Sequence, residues 1–221
     1  MLPAPAHPQD EAALRRQLLA AFRRLGERGL NSGTAGNASL RCGDGLLITP
    51  SGMPAEELTE ADLVWMDFAG QVRGARKPSS EWRLHRDVLA AHPQAACVMH
   101  AHSPCATALA CHGLAIPAFH YMVLRFGGSD VPCADYATYG TQALSDAVLR
   151  ALQGRSACLM ANHGMLVLAP DARQGVAAAI EFESLCEQYW RAKQLGEPRL
   201  LTPAQLAEVE AQFSCYGQQQ Q

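Results

Sequence analysis

The chain has 221 residues and contains no apolar run near the ~20 residues that a membrane-spanning helix requires. Its first residues, Met1-Leu2-Pro3-Ala4-Pro5-Ala6-His7-Pro8, lack the basic start of a secretory leader and carry too many prolines for one. There is no Cys-x-x-Cys pair, although eight cysteines are present. Cys97, Cys158 and Cys186 fall inside apolar runs, where a free thiol behaves as a small hydrophobe. A disulfide framework is therefore not expected, and a reducing cytoplasm is the simplest compartment. A basic excess is also missing, because the formal net charge is -3. The pairs Arg15-Arg16 and Arg23-Arg24 read as a solvated helix face rather than a nucleic-acid patch. Neither a nucleic acid nor a membrane is an expected partner. No internal repeat and no interdomain linker is visible.

The composition that remains is that of a soluble globular chain, 48% hydrophobic and 18% charged. A domain of this length buries ~70% of its unfolded surface and needs no disulfide or metal to hold its core. Residues 1–10 read as a loose tail, 11–216 as a single domain and 217–221 as a glutamine-rich tail. Leu14, Leu18, Leu19, Phe22 and Leu25 recur at helical spacing and predict a helix over 11–28. Short strands are expected at 38–41, 46–49 and 63–67, with a hairpin or loop over 68–77. A helix to about Ala91 follows Ser79-Ser80, with Ser80 as the candidate N-cap and no capping box. Ser103-Pro104 opens another helix. Phe119–Val123 and Val131 look extended. An amphipathic helix spans Thr141–Leu152, and a hairpin turns at Asn162-His163-Gly164. Asp171 caps a long helix to about Leu195, and Thr202-Pro203 opens a last helix to about Phe213. Helices interspersed with short strands indicate one α/β or α+β layered domain.

The most informative stretch is Ala96-Cys97-Val98-Met99-His100-Ala101-His102. In a strand, residues i and i+2 share a face, so His100 and His102 would project side by side from a strand end. Neutral imidazoles so placed form half of a metal site, or else two satisfied polar residues. His163, at the end of an apolar strand, is the candidate third ligand. Three histidines with one open position form a common catalytic zinc arrangement. Glu81 falls at a helix start, where a carboxylate is an ordinary structural choice that favours the helix dipole. Beside a metal it would instead serve as ligand or acid–base. Three segments are rich in hydroxyl, amide and glycine groups: Thr34-Ala35-Gly36-Asn37, Thr49-Pro50-Ser51-Gly52 and Ser79-Ser80. Each alone is a plain turn; together they would grip a phosphate without lysine. His85, His92, His112 and His120 read as structural or exposed, and Trp65, Trp82 and Trp190 as packing residues.

These motifs, with Gly36-Asn37-Ala38-Ser39, Ser79-Ser80-Glu81-Trp82-Arg83-Leu84-His85, His100-Ala101-His102 and Asn162-His163-Gly164, resemble the class II aldolase/adducin family from about residue 11 to Tyr216. The stretch from Ile116 to Gly140 is most similar to the branch that cleaves L-fuculose 1-phosphate. The resemblance implies a central, mainly antiparallel sheet flanked by helices in three layers. It implies Zn(2+) on His100, His102 and His163, with Glu81 as acid–base and possible fourth ligand. Phosphate would be bound by Thr34, Asn37, Ser51, Gly52, Ser79 and Ser80. The chain would form a homotetramer in which Tyr121 reaches a neighbouring subunit's site as an acid–base, while Tyr216 helps cover the site. The implied activity is cleavage of a ketose 1-phosphate, L-fuculose 1-phosphate or a related deoxy or methylthio pentulose 1-phosphate, to dihydroxyacetone phosphate and an aldehyde. Dehydratase, epimerase or decarboxylase chemistry is the alternative within the family, and a non-enzymatic adducin-like module is a further one. Three features depart from the branch. Asn162 stands where it has histidine, Tyr139 replaces a phenylalanine of the aldehyde pocket, and the glutamine tail is unlike its end.

Overall fold

The computed structural model describes residues 10–213. Tyr216 and the two expected tails, apart from Asp10, lie outside them. Along the chain come α1 (Glu11–Glu27), β1 (Asn37–Cys42), β2 (Gly45–Ile48), β3 (Val64–Asp67), β4 (Val72–Arg73) and α2 (Trp82–Ala91). Then follow β5 (Cys97–Ala101), α3 (Pro104–Ala110), β6 (Cys133–Ala134) and α4 (Gln142–Ala151). The chain continues with β7 (Ala157–Met160), β8 (Gly164–Ala169), α5 (Ala172–Gln194) and α6 (Pro203–Phe213). The strands form one 8-stranded sheet in the order β4-β3-β2-β1-β5-β8-β7-β6. Every pairing is antiparallel except that of β6 with β7. The expected α/β architecture, a mainly antiparallel sheet between helical layers, is the one observed.

The strand pattern explains the layering. Successive side chains alternate between faces. In β5, Cys97, Met99 and Ala101 join Leu18, Phe22, Leu25, Leu109 and Phe182 on the side of α1, α3 and α5. Val98 points the other way, among Leu84, Val88, Leu144 and Val148 of α2 and α4. Both faces of the central strands are covered, so they read as continuous apolar runs rather than alternating ones. His100 shares its face with Val98, as its i+2 spacing requires. In β1, Asn37 and Ser39 alternate with Ala38 and Leu40, and the latter pair packs on the α1 side. Asn37 lies opposite His100 in the antiparallel register. The polar residues of β1 and β5 thus meet on the face covered by α2.

Two local expectations need correction. The N-cap of α2 is Glu81, not Ser80. Ser79 accepts the Glu81 N–H at its Oγ, at 3.2 Å, and the Trp82 N–H at its carbonyl, at 3.1 Å, so Ser80 lies inside a turn that precedes the helix. Phe119–Val123 is not extended throughout, because Tyr121–Phe126 forms a 3-10 helix. The His120 ring accepts the Met122 N–H at its start, and Gly127 stops it in the left-handed region at φ 95°. Val123 and Phe126, three residues apart, share its buried side, which suits a three-residue period. Val131 is extended as expected and bridges Ile116.

Candidate metal centre and anion cleft

The strand ends and turns that carry the histidines meet at one edge of the sheet. His100 is the penultimate residue of β5, and His102 follows the strand by one. Glu183 of α5 holds the chain just beyond it. Its carboxylate accepts the N–H groups of Cys105 and Ala106, at 2.7 and 2.9 Å, and the Ser103 hydroxyl at 2.7 Å. The first turn of α3, and with it the end of β5, is thereby tied to α5. His163 arrives on the tight turn between β7 and β8, where Asn162 takes the left-handed conformation at φ 56°. Gly164 next to it faces Ala101 so closely that a Cβ would stand 2.4 Å from the Ala101 carbonyl oxygen. Only glycine permits that approach without a backbone shift.

The three imidazoles form a near-equilateral triangle. Ring centroids are 4.8, 4.7 and 4.9 Å apart, and the rings meet edge-on at 64°, 76° and 78°. Their nearest nitrogens lie within 4.8 Å of one another. The His100 Nδ1–H donates to the Met165 carbonyl at 2.8 Å, which fixes the tautomer of the neutral ring with its lone pair on Nε2. That Nε2 faces His102 Nε2 at 2.9 Å. An ion held tetrahedrally at ~2.05 Å would set such nitrogens ~3.3 Å apart, so the triangle is near the size a metal needs.

Glu81 completes the cluster. It is buried, with Oε2 3.2 Å from His100 Nε2 and Oε1 3.4 Å from His163 Nε2. Oε1 has no hydrogen-bond partner among the described residues. Burial pushes the Glu81 carboxyl up, but His100, His163 and the Asn37 amide outweigh it and hold it far below the usual carboxylate range. Burial works against a charge on His100, yet the Glu81 carboxylate keeps it above its ordinary value. Burial and the neighbouring His100 depress His102 and His163 to about 4, so both are neutral, ligand-ready bases near pH 7. Converging lone pairs and an orphaned buried carboxylate oxygen fit a divalent cation.

Next to this cluster opens a cleft of about 350 Å³. All three hydroxyl-rich segments reach it: Thr34 to Asn37, Pro50 to Gly52, and Ser79 with Ser80. Glu81, His102, His163, Tyr136 and Tyr139 line it as well. Ser79 is buried, whereas Thr34, Ser51, Gly52 and Ser80 are exposed to the cleft. One N–H of the Asn37 side-chain amide donates to Glu81 Oε2 at 2.8 Å, and the NH2 group has a second donor besides. Tyr139, two-thirds exposed, stands at the mouth of the cleft beside Tyr136. The structure does not bring Tyr121 into this cleft. It stacks on His120 at 4.5 Å and faces Phe213 in a separate groove. Three residues of consequence escape a sequence reading. Tyr136 lacks any motif of its own. Asn31 accepts the His102 N–H at 3.1 Å from a loop 71 residues away. His85 contacts Asn37; it closes the Ser79–His85 motif and stands i, i+4 from Glu81 on one helix face, but the sequence gives it no role.

The model of the class II aldolase and adducin N-terminal domain matches residues 16–190. A 5-methylthioribulose-1-phosphate/5-deoxyribulose-1-phosphate aldolase of Rhodospirillum rubrum is 49% identical over 210 residues, covering 95% of this chain and 95% of that protein. An L-fuculose phosphate aldolase of Escherichia coli K12 is 39% identical over 205 residues, covering 92% of this chain and 95% of that protein. A solved L-fuculose 1-phosphate aldolase superposes with a TM-score of 0.88 at 36% identity, covering 95% of this chain and 99% of that one. Similarity of this strength along almost the whole chain, with three histidines and a carboxylate gathered beside a hydroxyl-lined cleft, leads to one conclusion: the chain belongs to the class II aldolase and adducin family.

Proposed function

We propose that this chain is a metal-dependent lyase that cleaves a ketose 1-phosphate to dihydroxyacetone phosphate and an aldehyde. The observation that carries the reading is the convergence of the three histidines, Glu81 and all three hydroxyl-rich segments on one cleft. The aldolases it resembles, named for L-fuculose phosphate and for 5-methylthioribulose and 5-deoxyribulose 1-phosphates, support the same substrate class. Zn(2+) is the ion we assign to His100, His102 and His163, with Glu81 as the fourth donor of the resting site. Three nitrogens and one oxygen suit tetrahedral zinc. When bound, the ion supplies a Lewis acid that polarises the ketose carbonyl.

The remaining work falls to side chains and backbone. Thr34, Asn37, Ser51, Gly52, Ser79 and Ser80 hold the phosphate through hydroxyl and N–H donors. Carbon–carbon cleavage needs a base for the hydroxyl proton and an acid for the carbon left electron-rich. Glu81, at the edge of the cleft, takes up a proton from solvent and delivers it to that carbon, while the proton taken from the hydroxyl passes to solvent, so none is gained or lost. Tyr121, remote from this cleft in its own chain, takes the hydroxyl proton in a neighbouring copy, which makes the active unit an oligomer, a tetramer in our reading. Tyr139 and Tyr136 form the wall met by the aldehyde portion. Tyr216, outside the described residues, is assigned to covering the site. The same reading takes residues 11–216 as one catalytic unit. It places the protein in the cytoplasm, in keeping with seven free cysteines among the described residues. Among those residues no helix is long and apolar enough to cross a membrane.

The test is a panel of ketose 1-phosphates given to the metal-loaded protein, with dihydroxyacetone phosphate release as readout. Release from a deoxy, methylthio or fuculose substrate supports the assignment. A panel that yields dehydration, epimerisation or decarboxylation products instead would transfer the chain to another activity of its family.

A further inference from the structure

Behind the cleft lies a buried polar chain that ends on Glu81 and contains two groups, Ser39 and His85, that the chemistry above does not use. His85, in α2 and one turn beyond Glu81, is completely buried. Its Nδ1 lies 2.7 Å from Ser39 Oγ, and its Nε2 lies 2.5 Å from Asn37 Oδ1. The other end of the same Asn37 amide donates to Glu81 Oε2 at 2.8 Å.

One arrangement of protons follows from the identities of the groups. A carboxylate only accepts, so the Asn37 NH2 must face Glu81 and Oδ1 must face His85. An amide oxygen only accepts, so His85 Nε2 carries the proton. For a neutral ring, Nδ1 is then a lone pair and the Ser39 hydroxyl donates to it. Burial holds the imidazole at about 3, so it is neutral in the working protein. The proton order runs without a break from Ser39 to His85, from His85 to Asn37 and from Asn37 to Glu81.

An isolated asparagine amide turns over easily, since its oxygen and nitrogen ends have nearly the same shape. Turned over, Asn37 would point an oxygen at the Glu81 carboxylate and lose both bonds. The rigid donor of His85 forbids this. A phenylalanine of similar shape would fill the same space but supply no donor, so packing alone does not call for histidine here. We propose that His85 is a positioning residue for the proton step: through Asn37 it tethers Glu81 Oε2 and leaves Oε1 free of hydrogen bonds. The proposal rests on the acid–base role given to Glu81 above.

Two variants and one spectroscopic measurement test it. In His85→Gln the side-chain amide reaches the place of Nε2 and still donates to Asn37; in His85→Phe nothing donates. In the metal-loaded enzyme, His85→Phe is expected to lower kcat ~10²-fold with KM and metal content nearly unchanged, as a misplaced catalytic group does. His85→Gln is expected to recover most of that loss. In the wild-type protein, 15N NMR of labelled histidine is expected to show one neutral ring in the Nε2–H form whose signal is absent from both variants. Three results overturn the proposal: an Nδ1–H ring at this position, a His85→Phe enzyme with unaltered kcat, or a His85→Gln enzyme as slow as His85→Phe. If His85→Phe does not fold, the wild-type spectrum and the His85→Gln rate still decide. If Glu81→Gln keeps full activity, the acid–base assignment fails whatever the His85 spectrum shows.

Discussion

At the scale of single residues, Glu81 is where burial and charge compete most sharply. A buried carboxylate is costly unless cations or donors face it. Here two imidazoles and one amide do so, and one oxygen has no hydrogen-bond partner among the described residues. Glu81→Gln keeps the shape and removes the group that carries the proton. Its kcat should fall by ~10²–10⁴-fold, the usual worth of positioned acid–base help, while the phosphate grip and therefore KM change little. The rate of dihydroxyacetone phosphate release checks this. His85 gives a residue-scale prediction about stability. Its folded value of about 3 lies below its ordinary 6.5. The unfolded chain therefore binds more protons between those limits, so stability is full above the ordinary value and is lost as pH falls from it toward 3. His102 and His163, each at about 4, lose stability in the same window. The thermal midpoint of metal-free protein should drop as pH is lowered from about 7 to about 4.5, and drop less steeply in His85→Gln. Tyr139 and Tyr136 show the limit of motif reading at this scale. Tyr139 is legible only through its resemblance to a known pocket position, and Tyr136 gains meaning only when the loop is seen to line the cleft.

At the scale of elements, the site is a product of strand alternation and tight turns. The i+2 spacing of His100 and His102 is legible in the sequence because β5 is a clean apolar strand. His163 is legible because Asn162-His163-Gly164 closes an evident hairpin. The register that sets Asn37 opposite His100 is not legible, since it joins segments more than sixty residues apart through sheet pairing. Likewise the N-terminus of α2 is off by one residue in a propensity reading. Ser80 is the better cap by type, but Ser79 already serves the Glu81 N–H. The 3-10 turn at Tyr121–Phe126 reads as extended because so short an apolar run carries no decisive period. Gly164 supports an element-scale prediction. In Gly164→Ala the new Cβ meets the Ala101 carbonyl oxygen, so β8 must draw away from the end of β5 and carry His163 with it. Metal content of the purified variant should fall well below that of the wild type, with the helical circular dichroism largely kept.

At the scale of the whole molecule, the fold brings six separate segments to one cleft while leaving Tyr121 in another groove. That separation makes oligomerisation a requirement of the proposed chemistry rather than an ornament of it. Glu81→Gln and Tyr121→Phe should each be nearly inactive alone. Co-expressed, they should recover activity, because some mixed interfaces join an intact Glu81 to an intact Tyr121. Failure to complement, with mixed assembly verified by mass, would show that Tyr121 does not serve across an interface. The layered α/β architecture was legible from the alternation of helical periods and short apolar strands. The order of the strands was not, because β1, β5 and β8 are neighbours only through long connections.

The central claim is that this chain cleaves ketose 1-phosphates with a metal held by His100, His102 and His163. The most direct test takes protein stripped by a chelator, restores one equivalent of Zn(2+), and follows dihydroxyacetone phosphate from 5-methylthioribulose 1-phosphate and from L-fuculose 1-phosphate. The account predicts no release from stripped protein, release on zinc return, and none in a His163→Ala variant. Equal release with and without metal, or no release from either sugar by the zinc-loaded protein, would contradict it.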